Sequence, residues 1–412
     1  MPWSAITATL APMETRTDLE ATLRLMRPIV RERLLPLEAT FFRTGSFKAV
    51  EDELGRVRQE VKALGLLCPQ LGKAHGGAGF SLVDFARISE ELGWSALGHV
   101  AFNCQAPDAG NMEILALFGT PAQKADYLAP LVRGDARSCF AMTEPDRPGS
   151  NPTELAMTAS LEGDEWLLSG RKWFTSSADG AAFAIVMAVT DPEAPPHLRA
   201  SQLIVPMGTP GFRIVRNIPV MGHAGDGWAS HAEVLFDGCR VPKDALLGGR
   251  GAGFAIAQER LGPGRIHHTM RWMGIAERSF ELMCRRAASR HMEPGSVLAD
   301  KQLVQAGVAE SRAEIDAAKL LILRAATELE EGGAKAARDS IGLVKFFAAD
   351  VLSKVVDRAV QVHGALGLTD DTPLAYFYRH ERAAHVYDGP DEVHKVSVGR
   401  RILKRYRGEA KP

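Results

Sequence analysis

The chain reads as an α+β protein, mostly α, in which a helical region, an antiparallel β-region and a helix bundle follow one another. Apolar residues recur at helical spacing before about residue 135 and again after Gly253. Between Met157 and Val241 the chain instead breaks into short β-prone runs punctuated by Gly and Pro. Strands segregated in this way exclude a doubly wound parallel sheet. The expected division is 1–138, 139–247 and 248–412, in keeping with the two or three domains that 412 residues predict.

In the first region, "VEDELGRVRQEVKALGLL" places Val50, Leu54, Val57, Val61 and Leu64 on one helical face. "SLVDFARISEELGW" repeats the pattern with Leu82, Phe85, Ile88 and Leu92, and Ser81 suits the N-cap. The middle region offers "EWLLSG", "FAIVMAVT", "SQLIVPM", "GFRIVRNI" and "AEVLF", strands for a sheet, barrel or sandwich of about 100 residues. In the last region Val308, Ile315, Ile322 and Leu329 fall seven apart with Ala318 and Ala325 between them. Ile341, Val344, Ala348, Val351, Val355 and Ala359 step by threes and fours. Heptads so short and rich in alanine fit a tight four-helix bundle better than a coiled coil.

Composition narrows the function classes. Hydrophobic residues are 46% and charged residues 24%, a globular profile, and the formal net charge of −1 gives no basic surplus for nucleic acid. No apolar run approaches the roughly 18–20 residues of a membrane span. The start, "MPWSAITATLAPMETRTDLE", lacks the basic and apolar segments of a secretory signal. Cys68, Cys104, Cys139, Cys239 and Cys284 are widely spaced and form no C-x-x-C pair, so free thiols in a reducing, cytoplasmic setting are expected.

Several motifs invite chemistry. "GGRGAGFAIAQ" fails as a dinucleotide fingerprint, because Phe254 stands where the third glycine belongs and no βαβ unit surrounds it. "RIHH" offers His267 and His268, but neighbours on a helix point about 100° apart and cannot share one metal. "CFAMTEP" with Thr143 and Ser150 supplies hydroxyls and N–H groups suited to a phosphate or a flavin edge. In "GRKWFTSSA" a period of two puts Trp173 and Thr175 on one face, an indole to stack on a flat cofactor and a hydroxyl for its rim. "HVYDGPDEVHK" gathers Asp388, Asp391 and Glu392 with His385 and His394 about a Gly-Pro turn. No metal is expected there: Asp391 and Glu392 suit the N-terminus of the next helix.

Taken together, "FAMTEP", "RKWFTS", "ERLGPGRI", "QVHGALG" and "VYDGPDEVH" resemble, in order and distance, the acyl-CoA dehydrogenase family, over about residues 20–405. "RLGPGRIHH" with "DGPDEVH" is similar to a subgroup whose animal members are fused to a kinase-like domain. The resemblance implies an N-terminal helical, middle β and C-terminal helical fold, FAD, an acyl-CoA substrate and an electron-transfer flavoprotein or similar acceptor. It implies that Phe140, Met142, Thr143 and Ser150 line the flavin while Trp173 and Thr175 cover its ring. Arg290, Gln302, Gln361 and Gly364 match positions holding its pyrophosphate and adenosine across a subunit boundary, so a homodimer or homotetramer is implied. Ser150, Arg260 and Gly389 match the substrate side. Two departures stand out: "RHMEP" replaces R-x-x-F-G, with one extra residue before Gln302, and Ala365 replaces the last glycine of Q-x-x-G-G.

The implied reaction removes an α-proton as the β-hydrogen leaves as hydride to the flavin, and needs a carboxylate in a water-poor pocket. The commonest family arrangement has glutamate where this chain has Asp388, shorter by one methylene or roughly 1.5 Å. Some relatives take the base from a helix, at the position of Glu259, for which an ion pair with a nearby arginine is the plainer role. Asp388 is the expected base and Glu259 the alternative. The subgroup hints at 4-hydroxy or branched acyl chains. The competing readings are a flavin oxidase on the same fold, acyl-CoA or nitroalkane oxidase-like, and a CoA- or FAD-binding protein without turnover.

Overall fold

The computed structural model describes residues 18–407. The opening segment read for a leader lies almost wholly outside them. The N-terminal region is built from α1 (Leu19–Pro28), α2 (Leu35–Thr44), α3 (Glu51–Ala63), α4 (Leu82–Leu92), the short α5 (Gly98–Ala101), α6 (Asp108–Phe118), and the one-turn α7 (Pro121–Gln123) and α8 (Ala129–Arg133). Ser81 caps α4, its hydroxyl accepting the Asp84 N–H at 3.0 Å. Val50, Leu54, Val57 and Val61 are buried, but Leu64 is exposed, because α3 ends at Ala63 and the chain turns away at Gly65.

The middle region is one sheet: β1 (Ser138–Ala141), β2 (Thr158–Glu162), β3 (Glu165–Ser176), β4 (Phe183–Val189), β5 (Ala200–Pro206), β6 (Phe212–Asn217), β7 (His231–Pro242) and β8 (Leu246–Leu247). Its order is β6-β7-β3-β2-β4-β5-β8, with β1 on β4. The ladders are antiparallel as expected, apart from β1 on β4 and a single parallel bridge between β2 and β4. The runs "EWLLSG" and "GRKWFTS" merge into β3, whose register against β7 shifts twice, between Leu168 and Gly170 and between Lys172 and Thr175.

The C-terminal region holds α9 (Gly253–Ser289), the hairpin β9 (His291–Glu293) and β10 (Ser296–Val297), α10 (Gln302–His363), α11 (Leu374–Glu381) and α12 (Asp391–Tyr406). α10 is two helices joined at Gly333, whose φ of 70° breaks the run. Its arms fold back on each other, since Arg358 of the second arm pairs with Glu310 of the first at 2.9 Å. Both predicted stripes face the core: Ile315, Ala318, Ile322 and Ala325 on one arm, Ile341, Val344, Ala348, Val351, Val355 and Ala359 on the other, while Val308 and Leu329 at the ends of the first stripe are half-buried against it. The helices–sheet–helices order of the predicted α+β class is thus the observed architecture.

Two glycines let the first and last regions touch. A Cβ on Gly274 of α9 would lie 2.1 Å from the Glu90 carbonyl oxygen, and one on Gly93 would lie 2.4 Å from that of Arg271. This close crossing sets α9, which carries Arg260, Arg265 and His268, against the N-terminal helices.

Candidate active site

The site is assembled around Arg260. Its guanidinium carbon lies 4.3 Å from the centre of the Phe140 ring on β1. Nε donates to Asn111 Oδ1 at 3.2 Å and Nη2 to the Pro107 carbonyl at 3.3 Å. Helix α6 fixes β1 in turn: Asp108 Oδ1 accepts the Ser138 N–H at 2.7 Å and its hydroxyl at 2.6 Å, and Asn111 Nδ2 donates to Ser138 Oγ at 2.9 Å. Burial lowers the Arg260 pKa, opposed by the charges of Asp388, then Glu113 and Asp108. Asp108 and Glu113 share α6 while Asp388 lies far along the chain, and one cation faces the charge of all three.

Beyond β1 the "MTEP" loop is held from below by β3. Lys172 and Glu144 form an ion pair at 2.8 Å with side-chain exposures of 0% and 5%. Lys172 Nζ also donates to the Met142 carbonyl at 2.8 Å, while Glu144 accepts the Ala156 and Met157 N–H groups at 2.8 and 2.9 Å. Burial pulls the Lys172 pKa down to about 8, with Glu144 opposing. Thr143 and Trp173 exchange two bonds: the Trp173 N–H donates to the Thr143 carbonyl at 3.0 Å, and the Thr143 hydroxyl to the Trp173 carbonyl at 2.8 Å.

The expected alternation of Trp173 and Thr175 is broken. The three steps from Lys172 to Thr175 match only two on β7, from Val234 to Ala232, and Phe174 adopts φ +48°, so a bulge lies between them. A strict period of two therefore does not relate the two side chains. Trp173 is half-buried, and Thr175 is buried with an Oγ1 that has no hydrogen-bond partner in the protein.

The loop of Asp388, the expected base, is clamped from several directions. Asp388 has φ +55° and its carboxylate Oδ2 lies 3.6 Å from His268 Nε2. Its carbonyl accepts from Arg265 Nε and from His394 Nε2, each at 3.0 Å. The preceding Tyr387 hydroxyl accepts from Trp272 Nε1 at 2.8 Å and Arg271 Nη2 at 3.0 Å, and Arg271 grips Glu381 with two bonds of 2.7 and 2.8 Å. Burial lowers the pKa of His268, with Asp388 opposing, which favours the neutral imidazole. His267 faces the other way, its Nδ1 4.0 Å from Glu113 Oε1 and its ring edge-on to Phe85. The divergence follows from their adjacency on a helix, and no group of three or more metal-type ligands converges among the described residues.

Asp391 and Glu392 stand in the first turn of α12, but neither side chain caps it. Asp391 is buried instead between Lys345 Nζ at 3.1 Å and His385 Nδ1 at 2.6 Å, while Glu392 is exposed. The ion pair beats the cap because Lys345, wholly buried, has a stronger need for a partner than an N-terminus open to solvent.

The remaining expected residues divide by depth. Phe140, Met142, Thr143, Arg260 and Gly389 are half-buried, whereas Ser150 is exposed. Glu259 is also exposed, and among the described residues no arginine pairs with it, so the expected ion pair is absent. Arg290, Gln302, Gln361 and Gly364 are exposed too. They lie at one end of the bundle, where the α9 C-terminus meets both ends of α10. The unusual "RHMEP" stretch forms the β9–β10 hairpin, a turn its Gly295 at φ +79° permits.

Family models match nearly all of the chain: the acyl-CoA dehydrogenase N-terminal domain at residues 16–135, the middle domain at 139–239 and the C-terminal domain at 251–403. The probable acyl-CoA dehydrogenase FadE2 of Mycobacterium tuberculosis is 46% identical over 334 residues, 80% of this chain and 81% of that protein. The chain belongs to the acyl-CoA dehydrogenase family. Acyl-CoA dehydrogenase family member 10 of Mus musculus is 43% identical over 80% of this chain, but the match spans only 31% of that longer protein. Among solved structures, a putative acyl-CoA dehydrogenase from Mycobacterium abscessus superposes with a TM-score of 0.90 at 36% identity, covering 95% of this chain and all of that one.

Sequence reasoning passes over Glu113. Its Oε2 is buried without a partner, and burial raises its pKa to about 8, with Arg260 opposing. Its only sequence signal is a charged residue among the apolar ones of "NMEILALF". The Lys172–Glu144 pair and the Arg265 and His394 clamp are missed for a different reason: each joins elements distant in sequence.

Proposed function

We propose that this chain catalyses FAD-dependent α,β-dehydrogenation of an acyl-CoA thioester, with Asp388 as the base. The observation that carries the reading is Arg260, which links the expected flavin-edge residue Phe140 of the middle region to the charge of Asp388 in the C-terminal region. FAD fits the residues present, since the buried Thr175 hydroxyl lacks a protein partner beside the Thr143–Trp173 pair. Phe140, Met142, Thr143, Ser150, Trp173 and Thr175 would hold its ring, and Arg290, Gln302, Gln361 and Gly364 its pyrophosphate and adenosine. The bound flavin supplies the acceptor for the β-hydrogen.

The chain's own residues bind and deprotonate. Asp388 takes the α-proton, the surrounding helices exclude water, and Ser150 and Gly389 flank the thioester. Asp388 is favoured over Glu259 because Asp388 sits among Arg265, His268 and His394, whereas Glu259 points to solvent while its neighbour Arg260 points inward. Glu113, with its unpartnered oxygen near Arg260, favours an acyl chain bearing a polar group, such as a 4-hydroxyacyl thioester, over a purely hydrocarbon or branched one.

The four exposed FAD-end residues adjoin apolar Leu303, 89% exposed, and Leu368, 74% exposed, which supports a homodimer or homotetramer completing the site. An electron-transfer flavoprotein or similar acceptor would be the chain's redox partner. The structure contains no helix, among the described residues, long and apolar enough to cross a membrane.

Stopped-flow flavin reduction by a panel of acyl-CoA thioesters tests the reading, with Asp388→Asn and Glu259→Gln assayed in parallel. Loss in the first and retention in the second is expected. Near-normal reduction in Asp388→Asn would sink the assignment and promote Glu259. The aspartate at the base position also favours a second reading, a nitroalkane-type oxidase. Rapid peroxide release from the reduced enzyme in air, with no response to thioesters, would select it.

A further inference from the structure

The short base poses a geometric question. With one methylene fewer than glutamate, Asp388 reaches less far by itself, so its aim depends more on where the backbone puts its Cα. That backbone is held in an unusual state: Asp388 at φ +55° is followed by Gly389 at φ +97°. The left-handed region costs a non-glycine residue about 1–2 kcal/mol, although aspartate tolerates it better than most.

Two donors hold the strained peptide in place. Arg265 Nε, from α9, and His394 Nε2, from the first turn of α12, both reach the Asp388 carbonyl at 3.0 Å. The acceptor is a carbonyl, so His394 must carry its proton on Nε2. The histidine also abuts the turn: a Cβ on Gly389 would lie 2.8 Å from that same nitrogen. Behind His394, the helix start is fixed by Asp391, locked between buried Lys345 and His385, whose other nitrogen meets Ser353 Oγ at 2.8 Å. The carbonyl is thus pinned between two helices while, among the described residues, the carboxylate's ion-pair contact is His268 at 3.6 Å.

We propose that His394, acting with Arg265, is the positioning residue for Asp388: it holds the Asp388 carbonyl so that the left-handed backbone aims the short carboxylate at the substrate α-carbon. The inference rests on Asp388 as the base. It explains how aspartate serves where reach alone would call for glutamate, and it makes a particular demand. A glutamate at 388, with its extra methylene and torsion, is less dependent on the backbone and so less dependent on His394.

The test uses the FAD-loaded enzyme and a thioester that reduces the flavin. His394→Leu should lower the flavin-reduction rate constant about 100-fold, the scale of an ångström's misplacement, with substrate Kd changed less than about threefold. His394→Gln, which keeps an N–H donor and guards against a folding defect, should retain at least about a third of the rate. In the Asp388→Glu background, His394→Leu should cost less than about tenfold, a non-additivity that mere destabilisation does not produce. Equal losses in both backgrounds, or a His394→Leu enzyme with unimpaired reduction, would overturn the role of His394. An active Asp388→Asn enzyme would overturn the base assignment itself and this inference with it, whereas a dead Asp388→Asn beside a normal His394→Leu overturns only the latter.

Discussion

Lys172 Nζ lies 2.8 Å from Glu144 Oε1 beneath the "MTEP" loop, and neither side chain has appreciable contact with solvent. Removing one partner from such a pair leaves the other charge buried, at a cost of about 3–5 kcal/mol. Lys172→Met should therefore lower the unfolding free energy by that order, measured by urea denaturation. Because Lys172 also holds the Met142 carbonyl, flavin retention on gel filtration should fall with it.

Thr175 gives a prediction of opposite signs. Its buried Oγ1 has no protein partner, so Thr175→Val, nearly isosteric, should stabilise the flavin-free protein by about 1 kcal/mol. If that hydroxyl meets the flavin, the same change should weaken FAD about tenfold, or about 1.4 kcal/mol. Calorimetric melting of the apoprotein and FAD titration by fluorescence read the two effects separately.

Glu113 carries a pH signature. Burial raises its folded pKa to about 8, above the ordinary carboxyl value of 4.5 in an unfolded chain. The native state then binds the extra proton, so stability is greatest below about pH 4.5 on this account. It declines as pH rises toward 8, by about 1.4 kcal/mol per unit, and levels off above. Glu113→Gln should remove that decline: the variant should gain on the wild type between pH 6 and pH 9 in thermal melts. A constant difference across that range would refute the assignment of the proton to Glu113.

Gly274 should tolerate no side chain. Its missing Cβ would fall 2.1 Å from the rigid Glu90 carbonyl oxygen, so Gly274→Ala must push α4 and α9 apart. A loss of about 1–3 kcal/mol is expected, visible as a lowered Tm, with Gly249→Ala in an open loop as the control.

The legibility of the sequence varies with the range of the interaction. Helix faces such as Ile315–Ile322 and the Ser81 cap could be read because a period or a cap is local. The bulge at Phe174 could not, because a strand's alternation is blind to an extra residue that only the partner strand reveals. Asp391 looked like a capping acid from its place in the first turn, yet Lys345, 46 residues away, claims it. The residues around Asp388 were named from motif order, but their division of labour was not. Arg265 and His394 had no sequence mark as carbonyl donors, since only the fold brings α9 and α12 to the same peptide.

The reversal of α10 at Gly333 has a practical side. With a rise of 1.5 Å per residue, each arm carries that tip about 45 Å from the bundle end where Arg290, Gln302 and Gln361 gather. Residues 331–336 around the tip are exposed, so a fluorophore or an affinity handle grafted there would report on the enzyme from its far pole. Because Gly342 and Lys345, a few turns beyond the tip, pack against the start of α12, such a probe would also sense movement of the helix that carries His394.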